Sequence, residues 1–245
     1  MLTSWQYHEV DSELVAQLEQ TTGMHALFCR LLAQRGITDP DEIEQFFHPS
    51  LSHLHQPFLM KDMDRAVTRL LMAAENGERV LLYGDYDVDG ITSVSFLYAF
   101  LKPHIQHLDY YIPDRYKEGY GLSATGINYA SRTNASLIIA LDCGIKGLEP
   151  IRQARESGID VIICDHHLPG EELPPAYAIL DPLQEDCEYP YKKLSGCGIA
   201  FKFAQALTDY AERPEEPLWE LLDLVTVSIA CDLVPVTGEN RTLAY

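Results

Sequence analysis

The amino-acid sequence predicts an α/β fold, with a mostly parallel β-sheet flanked by helices and an N-terminal helical segment. From Arg79 onward, short apolar runs alternate with helical segments of about ten residues or more. Helical connections of that length are typical of right-handed crossovers, which make successive strands parallel. The predicted strands are apolar throughout, as expected for a sheet whose two faces are both covered by helices.

The N-terminal helical segment is predicted to span residues 1–78 and to pack on an α/β domain of residues 79–245. Its helices are expected around residues 11–35, in ITDPDEIEQFF with a cap at Asp39 or Asp41, and around residues 62–76. The composition changes only slightly at the junction, near Gly77 to Arg79.

The predicted strands and helices alternate in order along the second segment. The strands are VLLY, LDYYIP, SLIIALDCG, DVIICDHH and YAILDP. The helices are ITSVSFLYAFL, a segment capped by Ser123, EPIRQARESG, IAFKFAQALTDYAE and PLWELLDLVTVSIACDL. The closing RTLAY is strand-like or loop and carries no terminating signal, so we expect the chain to be a fragment of a longer protein.

The composition predicts a soluble cytoplasmic protein with no membrane segment. The chain has 245 residues, of which 47% are hydrophobic and 22% charged, without a signal peptide or a long apolar run. Its six cysteines are scattered and form no CxxC pair, which favours buried reduced thiols over a zinc site. The formal net charge of −19 argues against a general nucleic-acid coat, because phosphate binding draws on clustered Lys and Arg.

Acidic and histidine side chains follow four of the five predicted strands. They are Asp85, Asp87 and Asp89 after the first strand, Asp142 after the third, Asp165, His166 and His167 after the fourth, and Asp181 after the fifth. Since ligand sites of open parallel sheets lie beyond the carboxyl ends of the strands, we expect these side chains to share one rim. Aspartates gathered there would repel one another unless cations were bound.

Oxygen and imidazole ligands of this kind suit hard divalent cations. A calcium loop in DYDVDG is excluded because its twelfth position is Phe96, where a bidentate Glu is needed. Two metal ions that share an aspartate can activate water and stabilise an in-line displacement at phosphorus. The residues therefore predict phosphoester hydrolysis, and the absence of a Walker-type glycine loop argues against nucleotide-driven chemistry.

Two further segments are candidates for contact with substrate phosphate. Ser195 and Gly196 stand at the start of a helix, where backbone N–H groups bind an anion or where glycine permits close packing. Arg115 lies on the loop after the second strand and is either a phosphate contact or a solvated side chain.

These motifs together resemble the DHH phosphoesterase superfamily, and within it the bacterial exonucleases specific for single strands. The four family motifs match YGDYDVDGITS, ALDCG, CDHH and ACDLVP, so that the resemblance spans most of the chain. The flanking ITDPDEIEQFFHPSL, IPDRYKEGYGLS and LSGCGIAFKFAQAL resemble the exonuclease branch, and shorter DHH phosphatases are not expected to share them.

The resemblance implies an exonuclease that degrades single-stranded DNA from 5′ to 3′ in repair and recombination, with two Mn²⁺ or Mg²⁺ ions. The implied metal ligands are Asp87, Asp89, Asp142, His166 and Asp232, with Asp85 as an additional or supporting group. Asp165 would orient a neighbouring histidine, and His167 would contact the scissile phosphate, so that Asp165, His166 and His167 form the catalytic group. A helicase and a single-strand binding protein are possible partners.

The sequence departs from the family pattern in two places. Other DHH proteins begin their first motif with a histidine ligand, where this chain has Asp85. The exonuclease pattern continues into a substrate-binding domain and a DNA-binding domain, which this chain lacks. We therefore expect the chain to bind Mn²⁺ but to degrade DNA poorly.

Three alternatives to the exonuclease remain open at this point. A DHH pyrophosphatase and a phosphodiesterase for short RNA oligonucleotides or cyclic dinucleotides would use the same metal ions on another substrate. A catalytically inactive DHH scaffold would bind partners only, and is expected to have lost metal ligands.

Overall fold

The computed structural model describes Ser4, Gln6 and residues 8–245 of the chain. The contacts within it separate two units, Met1–His53 and Leu54–Tyr245.

The first unit contains three helices, α1 (Ser12–Thr22), α2 (Ala26–Gln34) and α3 (Pro40–Phe47). The single helical segment predicted over residues 11–35 is two helices, because Gly23 adopts the left-handed conformation (φ 68°) and its N–H caps α1 by donating to the Glu19 carbonyl. Asp39 caps α3 as predicted, accepting from two amides of the first turn. The core of this unit is small: Val15, Leu18, Cys29, Leu32, Ile37 and Ile43.

The second unit begins with a 3₁₀ turn (Pro57–Leu59) and α4 (Met63–Glu75), both of which the sequence predicts to belong to the N-terminal segment of residues 1–78. In the structure α4 belongs with the sheet, since Met63, Val67 and Leu70 are buried in the same core as the strands. The structure thus separates the units between residues 53 and 54, whereas the sequence suggested residue 78.

All five predicted strands are present and form one parallel sheet. They are β1 (Arg79–Gly84), β2 (His107–Tyr111), β3 (Leu137–Leu141), β4 (Asp160–Cys164) and β5 (Ala178–Leu180). Their spatial order is β2-β1-β3-β4-β5, and every neighbouring pair is parallel. The chain therefore reverses direction across the sheet between β1 and β3, which is where open sheets of this type place their ligand sites.

Helices cover both faces of the sheet, as the apolar strands predict. The helices after α4 are α5 (Val88–Leu101), α6 (Ala124–Arg132), α7 (Leu148–Glu156), α8 (Gly196–Tyr210), α9 (Glu216–Trp219), α10 (Leu222–Cys231) and α11 (Gly238–Ala244). Side chains of α4, α5, α8 and α10 share one core with Val80 and Leu82 of β1. Side chains of α6 and α7 share the other core with Leu81 and Tyr83.

Two predicted elements differ from the structure near the C-terminal end. The segment PLWELLDLVTVSIACDL contains two helices, α9 and α10. The closing RTLAY is not a strand or loop, because α11 runs through it and buries Glu239, Asn240 and Leu243. No helix in the described part of the chain has the length and apolar character needed to cross a membrane.

Candidate metal centre

The sheet itself aligns the carboxylates at its carboxyl edge. The hydrogen-bond ladder continues one residue beyond three strands, through the amides of the aspartates that follow them. Asp85, Asp142 and Asp165 donate to the carbonyls of Leu141, Cys164 and Leu180 at 3.3, 2.9 and 3.1 Å. Because successive residues of a ladder stay in register, the three carboxylates leave the sheet side by side. The rim predicted from the sequence is therefore formed by backbone pairing.

Asp142 is the most enclosed carboxylate of this rim. Its side chain is 2% exposed, and its backbone adopts φ 58°, a left-handed conformation that Asp tolerates better than most residues. Gly196 packs directly on it: a Cβ on Gly196 would lie 2.7 Å from Asp142 Cβ and 2.8 Å from Oδ1. Glycine at position 196 is thus required by close packing, one of the two roles that the sequence left open.

Asp89, in the first turn of α5, is held by three hydrogen-bond donors. The amides of Gly196 and Cys197 donate to its two carboxylate oxygens at 2.7 and 2.9 Å. Ser228 Oγ on α10 lies 2.7 Å from Oδ1. The N-terminus of α8 therefore binds an anion, and that anion is the carboxylate of Asp89.

Ser195 caps α8 and is fully buried. Its Oγ accepts from the Gly198 amide at 3.1 Å and lies 2.6 Å from Ser228 Oγ. The Ser228 hydroxyl is placed to donate both to Asp89 Oδ1 and to Ser195 Oγ, so that Asp89 and Ser195 share one donor. The Ser195 hydroxyl and the Gly196 amide, predicted to contact substrate phosphate, are in this structure used by the protein itself.

His166 is the centre of the ligand cluster. Its Nε2 lies 3.2 Å from Asp142 Oδ1, 3.6 Å from Asp232 Oδ2 and 3.7 Å from Asp89 Oδ2. Asp142 Oδ1 and His166 Nε2 are buried, and neither has a hydrogen-bond partner in spite of their proximity. Ligand atoms about 3 Å apart are what an octahedral ion with bonds of about 2.1 Å requires. The four side chains therefore fit a divalent cation.

The ligand atoms form two overlapping groups in the described part of the chain, each with its atoms within 4.8 Å of one another. Asp89, His166 and Asp232 make one group, and Asp142, His166 and His167 make the other. Of the predicted ligands, the structure brings Asp89, Asp142, His166 and Asp232 together. Asp85 and Asp87 lie outside these groups.

Burial and mutual repulsion shape the electrostatics of this cluster. Burial, followed by the charges of Asp89 and Asp87, raises the pKa of Asp142 to about 10. Burial also raises the pKa values of Asp85 and Asp232. A divalent cation would favour the ionised carboxylates and so lower these pKa values.

Asp165 and His167 form a hydrogen-bonded pair beside the cluster. Asp165 Oδ1 lies 2.7 Å from His167 Nδ1, and its Oδ2 accepts from the Ile145 amide at 3.0 Å. The hydrogen bond with Asp165 is the main cause of the raised pKa of His167. Burial alone would raise the pKa of Asp165, but His167 and the backbone amides lower it. Asp165 thus makes the hydrogen bond to His167 that is needed for its predicted role, which is to orient a neighbouring histidine.

The remaining predicted residues lie around the cluster. Asp87 caps α5, accepting from the Gly90 amide at 3.0 Å, and is exposed. Asp85 is fully buried, and its Oδ2 has no hydrogen-bond partner. The guanidinium of Arg115 lies 5.1 Å from the centre of the Tyr86 ring, so this exposed loop residue stands next to the first motif.

Sequence reasoning missed Ser228 and Tyr120. Ser228 precedes Asp232 by four residues on α10, so helical spacing places both on one face, a signal that the sequence contained. The Tyr120 hydroxyl lies 3.2 Å from His167 Nε2 and 3.4 Å from the Asp142 carbonyl. Tyr120 stands in a glycine turn, and no local pattern distinguishes it from any other exposed tyrosine.

The chain is similar to a known family and to proteins of known function. Residues 79–229 match the model of the DHH family, N-terminal domain. The single-stranded-DNA-specific exonuclease RecJ of Bacillus subtilis (strain 168) is 40% identical over 240 residues, which make up 98% of this chain and 30% of that protein. The chain thus spans less than a third of the length of this relative.

Solved structures of RecJ have the same fold. Exonuclease RecJ bound to manganese superposes with a TM-score of 0.71 at 31% identity, over 80% of this chain and 48% of that chain. RecJ from Thermus thermophilus in complex with Mn²⁺ superposes with a TM-score of 0.76 at 26% identity, over 96% and 32%. The family match covers the sheet and the three motifs that follow β1, β3 and β4, and the chain therefore belongs to the DHH family.

Proposed function

We propose that this chain is the metal-binding catalytic part of an exonuclease that degrades single-stranded DNA from 5′ to 3′ in repair and recombination. The observation that carries the proposal is the set of carboxylate oxygens within 3.7 Å of the unpartnered His166 Nε2. The substrate class comes from similarity to the RecJ exonuclease of Bacillus subtilis, over 98% of this chain.

In this proposal Asp89, Asp142, His166 and Asp232 hold one Mn²⁺ or Mg²⁺ ion. Asp87 and Asp85, together with Asp142 or Asp89, would hold the second. When bound, two such ions would lower the pKa of a water molecule and offset charge on the attacking and leaving oxygens. The residues of the chain fix the ligand geometry, through the amides on Asp89 and the packing of Gly196 on Asp142.

His167 and Arg115 are the proposed contacts to the phosphodiester. The hydrogen bond to Asp165 raises the pKa of His167 and so favours the cationic ring, which donates to a phosphate oxygen. Because Nδ1 faces Asp165, the substrate would meet the Nε2 side, next to the Tyr120 hydroxyl. Arg115, held over Tyr86, would contact a phosphate further along the strand.

We also propose that the enzyme is cytoplasmic and acts with other proteins. All six cysteines are free thiols, which is usual for a cytoplasmic protein. A helicase and a single-strand binding protein would supply the single strands. The formal net charge of −19 provides little basic surface for DNA, so we expect the longer protein to contribute to strand binding.

Metal titration combined with a substrate comparison tests the proposal. We expect two Mn²⁺ ions per chain, and weaker binding in Asp142→Asn. With the chain in excess over a 5′-labelled single strand, we expect slow Mn²⁺-dependent release from the 5′ end.

The same comparison separates the alternative functions. Faster hydrolysis of pyrophosphate or of dinucleotides than of the long strand would contradict the exonuclease and favour a small-substrate phosphoesterase. Equal, negligible Mn²⁺ binding by the unmodified chain and Asp142→Asn would favour a scaffold. Rapid processive digestion would contradict the expectation that strand binding needs other parts of a longer protein.

A further inference from the structure

Asp232 is the least constrained of the three carboxylates around His166 Nε2. Its side chain is 27% exposed, against 1–2% for Asp89 and Asp142. Within the described part of the chain its carboxylate accepts no hydrogen bond. Asp232 ends α10, and Leu233 after it adopts φ 58°. Its backbone is held on one side by α10, where its amide donates to the Ser228 carbonyl at 2.9 Å, and on the other side by the rest of residues 232–237, the segment that connects α10 to α11.

The far end of this connecting segment is fixed by side chains. The Pro235 carbonyl accepts from Asn240 Nδ2 at 3.1 Å and from the Tyr191 hydroxyl at 3.2 Å. A Cβ on Gly238 would lie 2.6 Å from the Tyr191 ring, so the start of α11 packs closely on that ring. The position of the segment therefore follows the position of α11.

A buried ion pair anchors α11 to α8. Lys202 Nζ lies 2.7 Å from Glu239 Oε1, and the two side chains are 0% and 1% exposed. Glu239 also accepts from the Tyr189 hydroxyl at 2.7 Å and from the His55 amide at 2.9 Å. Lys202 also donates to the His55 carbonyl at 2.8 Å. A buried pair with these additional hydrogen bonds fixes geometry, and removal of one partner leaves an unpaired buried charge.

Helix α8 thus reaches two ligands of the same proposed ion. Its N-terminal amides hold Asp89 directly. Its Lys202, one to two turns further along, holds α11 and through it the segment that carries Asp232. Asp89 and Asp232 both face His166 Nε2, from different elements.

We propose that the Lys202–Glu239 pair is a positioning device that sets the affinity of the metal centre by fixing the backbone of Asp232. The proposal rests on the proposed ligand set. Its prediction concerns metal binding, and does not require that the chain degrade DNA.

The test measures Mn²⁺ affinity by calorimetric titration and the electron paramagnetic resonance spectrum of bound Mn²⁺. We expect Lys202→Met to weaken binding about 10- to 100-fold, the usual effect of losing support behind a metal ligand, and to alter the spectrum. We expect Lys202→Met/Glu239→Gln to recover most of the affinity, because it leaves no unpaired buried charge. Tyr191→Phe, which removes only the hydroxyl on Pro235, should weaken binding in the same direction by a smaller factor.

Arg69→Met is the matched control for loss of stability alone. The Arg69 side chain is 8% exposed and forms ion pairs with the partly exposed Glu78 and Asp160 at the amino ends of the strands, away from the metal centre. We expect this variant to be less stable but to bind Mn²⁺ with unchanged affinity. Equal weakening by Arg69→Met and Lys202→Met would overturn the proposal, as would unchanged affinity in a folded Lys202→Met. If Lys202→Met does not fold, unchanged affinity in Tyr191→Phe overturns it.

Asp232→Ala separates this proposal from the proposed ligand set. If the unmodified chain does not bind Mn²⁺, or Asp232→Ala binds it equally well, the ligand set is wrong and the positioning role falls with it. If Asp232→Ala loses affinity while Lys202→Met and Tyr191→Phe do not, only the positioning role is overturned.

Discussion

Individual carboxylates of the centre are held in two opposite ways. Asp89 accepts from two amides and a hydroxyl, so its position is fixed without a cation. Asp142 Oδ1 is buried and has no hydrogen-bond partner. Since an unpaired buried oxygen costs free energy, Asp142 gains most from a bound cation. Both residues are acidic and buried. Hydrogen bonds hold the Asp89 carboxylate in place, whereas Asp142 has an unpaired oxygen that a bound cation would stabilise.

Ser228→Ala tests whether the hydrogen bonds to Asp89 support metal binding. The substitution removes the hydroxyl that donates to Asp89, while the Gly196 and Cys197 amides remain. We expect about tenfold weaker Mn²⁺ binding, and a loss of about 1 kcal/mol in unfolding free energy. Calorimetric titration and urea unfolding measure the two quantities.

Ser95→Ala is the control for Ser228→Ala. Ser95 is exposed on α5, and its hydroxyl donates to the Ile91 carbonyl one turn earlier. The Ser95→Ala substitution should leave Mn²⁺ affinity unchanged. Equal affinities for both variants and the unmodified chain would show that Ser228 does not support Asp89.

Helix α8 has several functions along its length. Its first turn supplies amides to Asp89, its first residue packs on Asp142, and Lys202 anchors α11. A helix N-terminus attracts anions through its unpaired amides, and here it attracts a protein carboxylate. The motif SGCG thus helps to build the metal site.

Gly196→Ala tests the contact between α8 and Asp142. The new methyl would lie 2.7 Å from Asp142 Cβ, where backbone and carboxylate cannot both stay in place. We expect a loss of about 1–3 kcal/mol in unfolding free energy, typical of overpacking, and at least tenfold weaker Mn²⁺ binding.

Gly198→Ala provides the comparison within the same turn of α8. Its new methyl would lie 3.3 Å from Leu194 Cδ2 and 3.4 Å from Leu194 Cβ and Ser195 Oγ, longer contacts than those at Gly196 that shifts of a few tenths of an ångström relieve. Its Mn²⁺ affinity should stay close to that of the unmodified chain. A Gly196→Ala protein with full affinity would mean that Asp142 is not held by this contact.

At the scale of the whole molecule, metal binding and stability should be linked through pH. The native Asp142, with its pKa raised to about 10, keeps its proton where an unfolded Asp, with a pKa of 3.8, has lost it. The native state then binds more protons, so unfolding free energy falls as pH rises from 3.8 towards 10. Asp181, whose pKa burial raises to about 7, acts in the same direction. Asp165, whose pKa is lowered, contributes stability that is lost only as pH falls below its unfolded value.

Urea unfolding between pH 5 and 9 measures this linkage. With a chelator present we expect stability to decrease with pH, and with Mn²⁺ we expect a flatter or reversed slope. Asp142→Asn, which cannot ionise, should show a shallower slope with the chelator. Stability that is independent of pH in the chelated protein would contradict the raised pKa of Asp142.

The fold and the rim could be predicted from the sequence because both depend on short-range pattern. Apolar runs such as LIIAL specify strands that are buried on both faces, and a residue that follows a strand must appear at its end. The hydrogen bond from Ser228 to Asp89 could not be predicted, because it joins residues 139 positions apart. The boundary suggested near residue 78 differs from the structural division for a similar reason, because the helical pattern of α4 gives no information about which core the helix joins.

The ladder hydrogen bonds that continue past β1, β3 and β4 also determine how the centre opens. The amides of Asp85, Asp142 and Asp165 belong to the same cooperative unit as the sheet, so they should exchange with deuterium only when the sheet unfolds. Residues 233–237 pair with no strand, and the amides of residues 233, 234, 236 and 237 should exchange through local opening. Exchange of a bound ion would therefore involve local motion of this short segment next to Asp232, while Asp142 stays fixed by the sheet.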